Sequence, residues 1–257
     1  MDIFKQLAQE LEISLQQVKH TVSLLDDGNT IPFIARYRKE ATGELKETAL
    51  QALAERLTYL RGLEKRKEEV TRLIVEQEKM TPEIAQAISQ ATTLQTIEDL
   101  YRPFRPKRRT RASQAKERGL APLARKLLQQ GPQQPEVLAK AFLSSKVTSK
   151  EEALQGAMDI IAEQYSDDPV IRALIRKFTY DTGLLTSERT KSEDSPQARE
   201  FQMYFDYVED LRKIPPHRVL AINRGERLKI LKVKIGVDIH RILALLRKRL
   251  IKNENYP

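Results

Sequence analysis

The chain has no cysteine and no tryptophan, and only three histidines. Without thiols there is no disulfide and no cysteine chemistry, which fits a reducing compartment. His20, His217 and His240 lack the i, i+4 ligand spacing and any cysteine partner, so no zinc site is expected. Glycine is scarce too. The closest pair, Gly225 and Gly236, is too far apart to write a G-x-G-x-x-G motif or a P-loop, which excludes a glycine-rich nucleotide cradle. No apolar run approaches the roughly 20 residues that a membrane span needs. The opening residues, MDIFKQLAQELEIS, carry no apolar signal core. These absences lead to the expectation of a cytoplasmic protein with no membrane partner, no cofactor and no small-molecule substrate.

What the chain does have is charge. Asp, Glu, Lys and Arg make up 32% of its 257 residues, and the net charge is +9. Much of the excess lies in one stretch, YRPFRPKRRTRASQAKER from Tyr101 to Arg118. It carries Arg102, Arg105, Lys107, Arg108, Arg109, Arg111, Lys116 and Arg118 against a single acid, Glu117. Charge gathered like this implies a polyanionic partner or an internal one. Pro103 and Pro106 keep the stretch from continuing a helix. Tyr101 and Phe104 set two rings among the cations, where they either stack on bases or anchor the end of the preceding helix in the core.

Elsewhere the pattern is helical. Ile3, Phe4, Leu7 and Leu11 share one face, and Ser14 with Gln17 spells a capping box. A short helix follows Pro32. Its Arg36, Arg38 and Lys39 either extend the basic surface or, as the better explanation, form a solvated face opposite Phe33, Ile34 and Tyr37. Leu50, Leu53, Leu57, Leu60, Val70 and Ile74 recur at helical steps through the longest uninterrupted run, about 45–80. Thr81-Pro82 and Asp168-Pro169 are cap-plus-proline helix starts, and Ser149 with Glu152 spells a second capping box. The paired carboxylates Asp26-Asp27 and Asp167-Asp168 fall at helix ends, where capping explains them better than catalysis. Residues 201–214 read as helix, with Phe201, Phe205 and Val208 on one face. LKILKVKIGV alternates apolar and basic residues and reads as a strand. The polar stretch TSERTKSEDSP reads as a domain boundary.

Three stretches resemble a known family. IPFIARYRKEATGEL, DLYRPFRPKRRTRASQAKERGLAPLA and HRVLAINRGE are similar to the N-terminal region of the bacterial Tex transcription accessory proteins. The resemblance implies cytoplasmic, nucleic-acid-binding proteins that act in transcription. It also implies a helix-turn-helix-like element, placed here within residues 48–100, ahead of RNase H-like, helix-hairpin-helix and S1 parts. The sequence stops before those parts and looks like the N-terminal portion of such a protein.

The expected fold is mainly α. It is a multi-helical bundle with a long central helix, a helix-turn-helix-like element and at most one small β element, near 184–190 and 228–237. A helical Tex-like N-terminal domain is expected over 1–190, and the start of a helical central region over 191–257. The expected function is non-enzymatic binding of RNA or DNA phosphates through the eight cations above, with Tyr101 and Phe104 as stacking candidates and the transcription machinery as a further partner. The competing reading is a helical scaffold whose cations pair internally and which binds no nucleic acid of its own.

Overall fold

The structure, a computed structural model, describes residues 2–106, 108–190 and 196–253. The chain forms two compact units. The first ends at Arg105 and the second begins at Pro106.

The first unit is all helix: α1 (Ile3–Glu10), α2 (Leu15–Asp26), α3 (Ile31–Tyr37), α4 (Glu47–Val75), α5 (Pro82–Gln90) and α6 (Leu94–Tyr101), closed by a 3-10 turn at Arg102–Phe104. Its axis is α4, 29 residues long. Leu50, Leu53, Leu57, Leu60, Leu63, Val70 and Ile74 all lie on its buried side. Steps of three and four residues keep them on one face of a 3.6-residue helix. Leu7 from α1, Val18 and Val22 from α2, Ile88 from α5, and Ile97 and Tyr101 from α6 complete that core. Each fully buried aliphatic side chain contributes about 1.5–3 kcal/mol. Lys67 interrupts the apolar side. Its Nζ donates to the Ser89 carbonyl at 3.0 Å and pairs with Glu64 at 2.9 Å, which satisfies the charge where α4 meets α5.

Capping residues set the helix boundaries. The Ser14–Gln17 capping box forms in full, and Thr81 caps α5.

The second unit holds α7 (Arg111–Glu117), α8 (Ala121–Gln129), α9 (Pro135–Lys140), α10 (Lys150–Asp167) and α11 (Pro169–Thr182). These are followed by β1 (Leu184–Arg189), a 3-10 segment at Pro196–Tyr204, β2 (Asp206–Asp210), α12 (Pro216–Arg227), β3 (Leu231–Gly236) and α13 (Ile239–Leu250). Asp168 caps α11 through the N–H groups of Val170 and Ile171. Ser149 accepts from the Glu152 N–H, but the return half of the expected box is missing. The Glu152 carboxylate takes the Thr148 N–H instead, at 2.9 Å.

The small β element is a three-stranded antiparallel sheet in the order β2-β1-β3, with Leu185 opposite Glu209 on one side and Ile235 on the other. Two of its strands lie where the sequence predicts extended chain. The third corrects the helix expected over 201–214. Phe201 and Tyr204 are buried on the 3-10 segment, and the chain then extends as β2 with Val208 exposed. The spacing of Phe201, Phe205 and Val208 fits a helical face, but pairing with β1 takes over the backbone hydrogen bonds. Strand β1, on the near side of the boundary expected at 190/191, pairs with both strands beyond it.

Among the described residues no helix is long and apolar enough to cross a membrane.

Candidate nucleic-acid interface

The basic stretch divides between the two units. At the end of the first, Tyr101 is only 7% exposed. The Arg66 guanidinium lies 5.4 Å from its ring centre. Phe104 is half-buried against the same core, and its carbonyl accepts from the Gln77 side chain at 3.0 Å. Both rings anchor α6, and a ring as buried as Tyr101 leaves no face for a base. Arg102 and Arg105 are exposed beside them. Arg102 has a partner, whereas Arg105 has no carboxylate partner among the described residues. Lys107 lies outside the described residues.

In the second unit Pro106 and Arg108 precede α7, which Thr110 starts with a reciprocal cap to Ser113. Arg108 is exposed, again with no carboxylate partner among the described residues. Arg109 reaches Glu117 at 3.7 Å, with 74% of its side chain in solvent. Arg111 approaches Asp159 at 4.0 Å and is 86% exposed. The other two cations are tied down. Lys116 pairs with Glu163 at 3.0 Å and Arg118 with Glu152 at 2.8 Å. Glu163 also accepts from the Thr110 hydroxyl at 2.9 Å.

The three carboxylates that meet α7 share a cause. Glu152, Asp159 and Glu163 are spaced by seven and four residues on α10, so they line one helical face. That ladder clamps α7 along α10 and neutralises part of the basic stretch. The Glu152 carboxyl is held below the ordinary range, first by the Thr148 backbone N–H, then by the Thr148 hydroxyl and the Arg118 charge. Sequence reasoning missed the ladder because its three members are separated by ordinary helix residues. The signal was their common face. Among the described residues, the exposed cations of the stretch with a loose carboxylate partner or none are therefore Arg105, Arg108, Arg109 and Arg111.

A second feature of this unit is apolar. Leu154, Met158 and Ile161 of α10 face Leu243, Leu246 and Leu250 of α13 across a cleft of about 810 Å³. Gln130, which adopts a left-handed conformation after α8, also lines it. Its side-chain amide donates to the Leu250 carbonyl at 2.8 Å and accepts from the N–H groups of Lys252 and Asn253. Gln130 thus caps the C-terminus of α13. Arg247, Lys248 and Arg249 on α13 are exposed, as expected of a solvated face. Among the described residues no three of His, Cys, Asp or Glu converge as a metal site would require.

The family described as Tex-like protein N-terminal domain matches residues 1–75, and the one described as Tex central region-like matches residues 130–242. The basic stretch lies between the two matches. A Bacillus subtilis (strain 168) protein named Uncharacterized protein YdcI is 46% identical over 255 residues, 98% of this chain and 35% of its own length. Protein tex of Bordetella pertussis is 44% identical over 238 residues, 92% of this chain and 30% of its own. The Transcriptional accessory protein Tex of Neisseria gonorrhoeae is 40% identical over 235 residues, 91% of this chain and 31% of its own. The chain spans about a third of the length of these curated relatives.

Proposed function

Because the chain belongs to the Tex family, to whose N-terminal and central regions it corresponds, we propose that it is a non-enzymatic, cytoplasmic nucleic-acid-binding module of a transcription accessory protein. Contact is to phosphates, through Arg105, Arg108, Arg109 and Arg111. The observation that carries this reading is the division of the basic stretch. Lys116 and Arg118 are held by carboxylates of α10, while Arg105, Arg108, Arg109 and Arg111 stay in solvent with loose carboxylate partners or none among the described residues. Guanidinium groups without a strong internal partner are free to meet phosphate oxygens, and each engaged phosphate releases counterions. The printed name of the Neisseria relative, Transcriptional accessory protein Tex, supports the transcription part of this reading. In the first unit α5 and α6 are joined across only three residues, Ala91 to Thr93, which is the element that supports a helix-turn-helix-like reading.

The scaffold reading also has an observation in its favour, the α10 ladder, which pairs Lys116 and Arg118 internally. Replacing the four arginines with alanine separates the two. The binding account expects loss of affinity for duplex DNA and duplex RNA at ~50 mM salt, with the thermal transition unchanged. Unchanged binding, or a collapsed transition, favours the scaffold. Metal-dependent cleavage of a labelled strand would overturn the non-enzymatic assignment.

A further inference from the structure

In the basic stretch Tyr101 is buried and Phe104 half-buried, but another pair of rings is open to solvent. On α3, Phe33 and Tyr37 sit four residues apart, with ring centres 5.2 Å apart and planes tilted by 45°. Tyr37 is 66% exposed and Phe33 36%. Sequence reasoning set these rings opposite a solvated basic face. In the structure Ile34 alone is buried, and the rings and cations share the surface. The Arg38 guanidinium lies 5.5 Å from the Phe33 ring centre, a cation–π distance.

The cations here differ from the arginines of α4. The arginines of α4, Arg56, Arg61, Arg66 and Arg72, each have a carboxylate within 3.7 Å. Arg36, Arg38 and Lys39 have no carboxylate partner among the described residues. The backbone beneath them is nevertheless held firmly. The buried Thr42 hydroxyl donates to the carbonyls of Arg38 and Lys39, at 3.3 and 3.0 Å. Gln17 completes the cap of α2 with its oxygen while its Nε2 donates to the Gly43 carbonyl at 2.9 Å. His20 Nδ1 lies 3.0 Å from the Ala41 carbonyl. Three side chains from outside α3 thus fix the turn that carries Arg38 and Lys39.

We propose that the stretch from Phe33 to Lys39 is a contact site for single-stranded nucleic acid, with a base stacked on Tyr37 and phosphates met by Arg36, Arg38 and Lys39. The inference rests on the reading of this chain as a nucleic-acid binder and adds what the basic stretch lacks, an open aromatic face. Every base has a π-face, so such a site tolerates any sequence but needs the strand unpaired. A duplex hides its bases and offers the site only phosphates.

The test is fluorescence anisotropy of the full chain at ~50 mM salt, with a labelled oligouridine of about 15 nucleotides and a labelled duplex. Tyr37→Leu should weaken single-strand binding roughly ten-fold, Tyr37→Phe should restore it, and duplex binding should not move. Circular dichroism should be unchanged, because Tyr37 is exposed. If Tyr37→Leu leaves oligouridine affinity intact, the patch serves another partner, such as a protein, and the inference is overturned. The two readings fail separately. Loss of binding on replacing the four arginines with no effect of Tyr37→Leu sinks this inference alone. The reverse pattern sinks the role of the basic stretch and leaves this one standing. No binding by the wild-type chain overturns both.

Discussion

At Gly43 the backbone turns with φ of +63°, and a Cβ there would come within 2.9 Å of the Gln17 amide. Gly43→Ala therefore meets a strained conformation and a clash with the side chain that tethers the turn. A loss of roughly 1–2 kcal/mol is expected in chemical denaturation of the purified chain. Gly156 is a second close approach. A Cβ there would lie 2.4 Å from Leu120 Cδ1, where α10 passes the turn before α8. Gly156→Ala should cost about 1–3 kcal/mol by overpacking. Arg66 joins Glu98 at 2.7 Å and Glu69 at 2.7 Å while covering Tyr101, and the Glu98 hydrogen bond is the chief reason its pKa is pushed further up. Tyr101 and Arg66 show why stacking residues were hard to read from the chain. An aromatic beside arginines is a base platform or a helix anchor depending on what lies beneath it. That contact comes from α4, more than thirty residues earlier.

At the scale of elements, α4 was legible because a long, regular stripe of leucines admits one burial pattern. Strand β2 was not, since five residues with mixed spacing leave the choice to the neighbour that pairs with them. Two ion pairs tie the first helices to α4, Arg56 with Glu10 at 2.5 Å and Arg61 with Asp26 at 2.7 Å. Hydrogen bonds from these arginines hold both carboxyls below their ordinary range. A carboxyl with a depressed folded pKa stabilises the fold above its unfolded pKa and loses that contribution as pH falls through the folded value. Denaturation midpoints should therefore hold from neutral pH to about pH 5 and drop below it, and less steeply in the Arg56→Ala, Arg61→Ala double variant. Both pairs are partly exposed, so each is worth only about 0.2–1 kcal/mol. The α10 ladder makes a sharper prediction. Glu163→Gln removes the negative charge that holds Lys116 and leaves a single amide oxygen to accept from Thr110. It should lower thermal stability slightly while tightening polyanion binding, because it releases a cation.

For the whole molecule, the basic excess was visible in the sequence and its partition was not. The eight cations look alike as letters. What separates them is the face of α10, which collects three acids against Arg111, Lys116 and Arg118 and reaches Arg111 only at 4.0 Å. The salt dependence of duplex DNA binding tests this partition most directly. If the four solvent-facing arginines each engage a phosphate, log K should fall by roughly 3–4 per decade of salt, and the slope should flatten when all four are alanine. A slope that stays the same in that variant, or wild-type protein that binds no duplex at ~50 mM salt, would contradict the account.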